Sequence, residues 1–260
     1  KLGVITFDPI PKMFFDKKIK NYRISNFDQK VSYFEKFNVD FLINKNFNKT
    51  FSKVTCSKFI ENILYKSLNV KYIFVSNNFR FGYKREGNVS LLKSYQKKYK
   101  YKLVNPKPLI IKNKVISSTL IRKLIQNGEL NSANKILKRN WSIEGTVEKG
   151  RMMGKKIGFP TCNIDIKNYI LAKTGVYAVK AKVKTSRKFY KGIANLGYRP
   201  TFNQKKLLLE VNLFNFSGNL YNKKLSVEFL KFIRGEKKFN GVDDLRNQIK
   251  RDLLIAKKVK

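Results

Sequence analysis

The 260-residue chain carries 57 Lys+Arg against 17 Asp+Glu, a formal charge of +40, with 42% hydrophobic and 13% aromatic residues and no histidine. This apolar content excludes a wholly disordered chain, and no run of about 18 apolar residues marks a membrane-spanning helix. The lack of histidine excludes Ser-His-Asp triads, Cys-His pairs and histidine-ligated zinc.

Two cysteines, Cys56 and Cys162, lie in different halves. They make no disulfide framework and point to a reducing cytoplasm. A field as basic as this attracts nucleic acid and polyphosphates. The lysines are scattered, however, and travel with Asn, Ile, Phe and Tyr, all of which have AT-rich codons. Base composition accounts for the charge better than a nucleic-acid surface does, and nucleic acid is not the expected partner. The sequence does not set an oligomeric state.

In chain order, Leu2 to Phe7 reads as a short apolar strand ending at Asp8-Pro9. Val31 to Phe37 reads as a helix and Asp40 to Ile43 as a strand. Phe59, Ile60, Ile63, Leu64 and Leu68 recur at three and four residues, the period of an amphipathic helix. The run Lys71 to Val75 is a strand, Val89 to Tyr99 a helix and Tyr101 to Val104 a strand. Alternation of this kind predicts a parallel, doubly wound sheet. A helix opens at Ser117-Ser118-Thr119 and closes near Gly128, and a second covers Leu130 to Leu137. The domain boundary falls at Lys138 to Asn140.

From Trp141 the period changes to two. Tyr177, Val179, Ala181 and Val183 alternate with polar or small residues, and Leu207 to Phe216 and Leu225 to Phe232 are strands joined by a turn at Ser217-Gly218-Asn219. Short strands with Gly-rich connections predict a small antiparallel barrel. A final helix follows, with Val242, Leu245, Ile249, Leu253 and Ala256 as its buried stripe. Asp243 and Asp244 sit in its first turn and Lys257 and Lys258 at its end, as the helix dipole favours.

Two features could carry chemistry. Gly150, Gly154 and Gly158, with Lys155 and Lys156 among them, make a loop whose amides can approach a phosphate closely. It lacks the Gly-Lys-Ser/Thr ending of a Walker loop, and a strand is expected after it. Thr161 and Asn163 put two neutral oxygens on one face of that strand, suited to Mg²⁺ in company with ATP phosphates and water. An ordinary basic hairpin loop would have the same spacing. Glu210 shares a strand face with Leu208, Asn212 and Phe214. In a barrel interior it would need a task or a partner, such as taking a proton from an attacking alcohol. On a solvated face it would need neither, and alternation alone does not choose.

Residues 141–260 resemble the riboflavin kinase module of bacterial bifunctional riboflavin kinase/FAD synthetases. The matching stretches are GFPTCN (158–163), GVYAV (175–179), GIANLGYRPTF (192–202), LEVNLFNFSGNLYNKKLSVEFLKFIRGEKKF (209–239) and the last helix. The resemblance implies a six-stranded antiparallel β-barrel with a C-terminal helix, using ATP and riboflavin to make FMN. It implies Thr161 and Asn163 as ligands of Mg²⁺ and the ATP phosphates, and Glu210 as the catalytic base. Gly150, Gly154, Lys155, Gly158, Phe159 and Pro160 would cover the nucleotide, and Arg234 would lie in a flap over the flavin. Cys162 stands where alanine is common.

Residues 1 to about 125 resemble the FMN adenylyltransferase module, an α/β Rossmann-like nucleotidyltransferase domain, through TFDPIP (6–11), NNFRFG (77–82) and ISSTLIR (116–122). The resemblance implies nucleotide contacts from Asn78, Phe79, Ser117, Ser118, Thr119 and Arg122, the serines and threonine at a helix N-terminus where amides favour phosphate. Two departures stand out. The family's first strand and its His-x-Gly-His segment would precede Lys1, and Ile10 stands where the family has histidine. The expectation is therefore an N-terminally incomplete domain over 1–138, from a trimmed piece of a longer protein, forming little FAD. A riboflavin kinase domain follows over 139–260. A full enzyme making both FMN and FAD is the alternative if an upstream segment supplies the histidines, and a basic nucleic-acid-binding protein is the distant one.

Overall fold

The computed structural model describes residues 1–111, 113–150, 154, 157–167, 169–200 and 205–259. They form two compact units, one of Lys1–Ile19 with Phe34–Ile116, the other of Lys20–Tyr33 with Ser117–Lys260.

In the first unit, β1 (Gly3–Asp8) and β2 (Phe41–Asn46) pair in parallel from Gly3↔Phe41 to Asp8↔Asn46. Strands β3 (Tyr72–Phe74) and β4 (Lys102–Val104) form a second parallel pair, and β5 (Ile110–Ile111) and β6 (Lys114–Val115) a small antiparallel one. The parallel pairing is as the alternation predicts, but it gives two separate pairs rather than one continuous sheet. Tyr72 and Phe74, flanking the buried Ile73, are exposed. The predicted amphipathic helix is present over Phe59–Ser67, opened by Thr55, whose side chain accepts from the Lys58 amide. Its backbone bonds are of the wide i→i+5 kind, as from Leu68 N–H to the Ile63 carbonyl at 3.0 Å. Phe59, Ile60 and Leu64 carry its buried side into a core shared with Leu92, Tyr99 and Tyr101.

The second unit is built on a closed barrel of six strands, β7 (Ser142–Glu148), β8 (Cys162–Asp165), β9 (Gly175–Val183), β10 (Tyr190–Pro200), β11 (Lys205–Leu213) and β12 (Lys224–Arg234). Their order around the wall is β10-β11-β8-β7-β12-β9. Trp141, Ile143, Ile164, Tyr177, Leu196, Leu209, Leu225 and Phe229 fill the interior with no measurable exposure, as alternation along each strand requires. The turn at Ser217-Gly218-Asn219 does not make a hairpin. β8 and β7 lie between β11 and β12, so the connection crosses an end of the barrel. Turn chemistry marks a reversal of the chain, but not which strand it returns to.

The helices Ser118–Gln126 and Leu130–Leu137 belong to this unit, and so does the segment Lys20–Tyr33. The Ile24 carbonyl accepts from Trp141 Nε1 at 2.9 Å. Buried Gln29 donates to the Ser142 carbonyl (3.1 Å) and hydroxyl (2.9 Å) and accepts from the Tyr169 hydroxyl at 2.9 Å. The last helix, Val242–Lys258, packs against β9, β10 and β12. Its stripe is narrower than predicted, because Val242 is exposed at the first turn while Leu245, Ile249, Leu253 and Ala256 face inward.

Candidate active site

Strand alternation splits β11 into two faces. Leu209 and Val211 point into the barrel core, while Leu208, Glu210 and Asn212 point out of it, into a cavity of about 520 Å³. That outer face is neither barrel interior nor open water, the two choices alternation offers. Leu245, Ile249 and Leu253 of the last helix also line the cavity, so the carboxylate sits at the wall of a covered cleft.

Residues opposite one another in a ladder share a face. Glu210 stands opposite Asn163 of β8 and, on its other side, opposite Asn195 of β10. Asn195 stands opposite Val176, and Val176 opposite Arg234. One lateral row of the wall therefore reads Asn163, Glu210, Asn195, Val176, Arg234, and all five line the cavity. Thr161, two residues before Asn163, lines it too.

The Asn163 end is polar and tightly built. Asn163 is 6% exposed, and its side-chain oxygen is buried with no hydrogen-bond partner among the described residues. A buried acceptor left in that state costs about 1–3 kcal/mol unless something binds it. A Cβ on Gly150 would lie 1.7 Å from Asn163 Nδ2, so the glycine loop comes closer than any side chain permits. The Gly154 carbonyl accepts from the Phe159 amide at 2.7 Å. Gly158 has φ +89°, a backbone region that favours glycine. Asn212 Nδ2 donates to the Pro160 carbonyl at 2.7 Å, tying the turn before Thr161 to the strand of Glu210. Lys155 lies outside the described residues.

Among the described residues no group of three or more His, Cys, Asp or Glu side chains could hold a metal. The orphaned Asn163 oxygen beside Thr161 and Glu210 instead fits a hard cation that completes its shell with phosphate and water oxygens. Sequence reasoning singled out Thr161, Asn163 and Glu210. It placed Asn212 on the face of Glu210 without giving it a role, and it passed over Asn195 and Asp252, which reach the cavity from another strand and the last helix.

At the far end, Arg234 lines the cavity but is bound to Asp252 of the last helix. Its Nε meets both carboxylate oxygens (3.1 and 2.9 Å) and its Nη2 meets Oδ2 at 2.8 Å.

The nucleotide contacts anticipated in the first half divide between the units. Asn78 accepts from the Ser76 hydroxyl at 2.9 Å, and Phe79 stacks on Phe81 with centroids 5.6 Å apart, both in the first unit. Ser117 caps its helix, accepting from the Leu120 amide at 3.1 Å, and Ser118 and Thr119 are exposed in the first turn. Arg122 donates to the Tyr22 carbonyl at 2.9 Å and lies 3.7 Å over that ring. Burial lowers its pKa from the ordinary guanidinium value.

A riboflavin kinase family model matches residues 137–260, and an FAD synthetase model matches residues 1–120. A protein from Buchnera aphidicola subsp. Schizaphis graminum, named bifunctional riboflavin kinase/FMN adenylyltransferase, is 41% identical over 98% of this chain and 82% of its own length. This chain belongs to that family. A relative of the same name from Haemophilus influenzae is 38% identical over 98% of this chain and 83% of its own length. A crystal structure described as a macrolide-efflux protein from Streptococcus pneumoniae superposes with a TM-score of 0.85. It is 27% identical and covers 99% of this chain and 84% of that one. Among the described residues here, no helix is long and apolar enough to cross a membrane.

Proposed function

We propose that the barrel unit transfers the γ-phosphoryl group of ATP to the primary hydroxyl of the ribityl chain of riboflavin, with Glu210 as the base. The observation that carries this reading is the pairing of Glu210 with Asn163, whose buried oxygen lacks a partner, on one wall of a cavity of about 520 Å³. A cavity of this size suits a ligand as large as a flavin.

Thr161 and Asn163 would hold Mg²⁺ together with the nucleotide's phosphates. When bound, the ion spreads the charge that builds on the transferred group. The chain's own residues do the rest. Loop amides around Gly150, Gly154 and Gly158, with Phe159 and Pro160, cover the phosphates. Glu210 accepts the hydroxyl proton and fixes the oxygen for in-line attack, a matter of position as much as basicity. Leu245, Ile249 and Leu253 exclude water and offer an apolar wall to the ring. In this reading the kinase domain is residues 139–260, in a reducing cytoplasm. The buried, unpaired thiols of Cys56 and Cys162 suit that compartment.

The test is FMN formation from riboflavin, ATP and Mg²⁺, separated by chromatography. Time-dependent FMN and ADP in equal amounts are expected. No FMN from a folded chain at saturating substrates overturns the reading.

A second activity, adenylylation of FMN to FAD by residues 1–138, is supported by the FAD synthetase match over residues 1–120. In that reading Asn78, Phe79, Ser117, Ser118, Thr119 and Arg122 serve the nucleotide. FAD and pyrophosphate in the same chromatogram, from FMN and ATP, would report it.

A further inference from the structure

Asp252 is a carboxylate 2% exposed, on the last helix, that phosphoryl transfer leaves without a task. Burying such a group is costly unless it is paired and hydrogen-bonded. It is both. Arg234 meets it through Nε and Nη2, and Gln248 Nε2, one helical turn away, donates to its Oδ1 at 2.9 Å. The pair joins the end of β12 to the helix that covers the cavity.

A guanidinium has five N–H donors in one plane. Nε and one Nη2 hydrogen go to Asp252, and one Nη1 hydrogen goes to the Gly235 carbonyl at 2.9 Å. Two N–H groups remain, one on each Nη, and both residues of the pair line the cavity. The charge they carry is matched by Asp252, so this end of the row offers directed donors rather than a net positive field. Leu245, Ile249 and Leu253 on the helix and the Phe239 ring, 5.8 Å from the guanidinium, give this end apolar lining, and the one acidic and one basic side chain that follow Arg234 in the lining, Glu236 and Lys237, add no net charge. Phosphates belong at the opposite end, beside Asn163 and the glycine loop. From Glu210 to Arg234 the row takes three strand steps, about 14 Å along the wall at roughly 4.8 Å each. A five-carbon polyol and the ring it carries can span that distance.

Resting on the kinase reading above, we propose that Asp252 is a positioning residue. It aims Arg234 so that two N–H groups grip acceptor atoms on the edge of the flavin ring, making Arg234 a specificity-determining donor for the neutral ring and not a phosphate ligand. The helix, held by the same pair, closes the ring's apolar wall.

The test measures flavin affinity without turnover, by quenching of riboflavin and lumiflavin fluorescence, alongside steady-state kinetics on the full chain. Two variants are needed, because Asp252→Asn alone leaves a buried guanidinium without its counter-charge and could unseat the helix. The double variant Arg234→Met/Asp252→Leu removes both charges and keeps the volume, which buried ion pairs tolerate. In each, the Kd of riboflavin and of lumiflavin should rise about tenfold or more, the size of a lost charge-assisted contact. KM for ATP should stay within about twofold, and kcat at saturating riboflavin should fall less than flavin affinity does. Wild-type flavin affinity in a folded double variant overturns the proposal, as does a rise in KM for ATP in place of the flavin effect. If the unaltered chain binds neither flavin, the kinase reading itself fails, which is a separate result.

Discussion

Glu210 and Asn163 face each other across the β11–β8 ladder, the carboxylate next to a buried amide oxygen that no described residue satisfies. In the proposed mechanism the pairing joins the base for the acceptor alcohol to a ligand for the donor's phosphates within one strand spacing. Glu210→Gln keeps the shape and removes the proton acceptor. Turnover should fall by about 10²–10⁴ with riboflavin Kd within about twofold, as measured by FMN formation and flavin fluorescence. Near-normal turnover would sink the assignment of the base.

Gly150→Ala tests the other partner. The new methyl would lie 1.7 Å from Asn163 Nδ2 and must displace either the loop or the amide. KM for ATP should rise at least about tenfold, as for a misplaced positioning group, while flavin affinity is retained. A variant with unaltered KM for ATP would show that the loop can retreat without consequence for the nucleotide.

Asn212→Ala removes the bond to the Pro160 carbonyl that ties Thr161's turn to the strand of Glu210. This exposed contact should matter for alignment more than for stability. A fall of about threefold to tenfold in kcat is expected, with an unfolding free energy changed by less than about 1 kcal/mol. A stability loss with kcat unchanged would make the bond purely structural.

Gln29→Leu strips partners from the Ser142 carbonyl and hydroxyl, the Tyr169 hydroxyl and the Asn26 amide at once. Leaving buried polar groups unsatisfied should cost about 2–3 kcal/mol, read as a lower urea midpoint for the barrel's unfolding. A shift below about 0.5 kcal/mol would mean that water replaces the amide freely.

Tyr101 gives a pH signature in the first unit. Burial pushes its phenol from an ordinary 10.0 up to about 12, and its hydroxyl is held by the Leu92 carbonyl. The unfolded chain ionises near 10 while the folded one does not. The stability this group contributes is therefore full below pH 10 and is lost as pH rises toward 12. Urea midpoints over that window should fall more steeply for the natural chain than for Tyr101→Phe. Parallel curves for the two would contradict the burial of the phenol.

Much of the barrel could be read from the sequence because period-two alternation is a local signal. Tyr177, Val179 and Ala181 are interior, as the pattern requires. Glu210 was harder, because both faces of β11 are apolar: Leu207, Leu209 and Val211 on one, Leu208 and Phe214 on the other. Which face meets the core depends on a closure made by residues far along the chain. The pairing of Arg234 with Asp252 is also non-local, eighteen positions apart, and each residue alone reads as ordinary surface charge. The placement of Lys20–Tyr33 had no sequence signal at all, since Gln29 reaches its partners in Ser142 across more than a hundred residues.

That last segment has a consequence for how the gene could ever be divided. The strip that seats Gln29 and Ile24 against Ser142 and Trp141 is encoded between two stretches that belong to the other compact unit. A break at the boundary legible in the sequence, near residue 138, would put a segment that packs against the barrel on the wrong messenger. Fission into two free-standing polypeptides, or transfer of one half alone, would leave the kinase half with a seam for which its own reading frame holds no filler. Duplication of the whole, followed by decay of one function, is a less disruptive route by which such a chain could come to specialise.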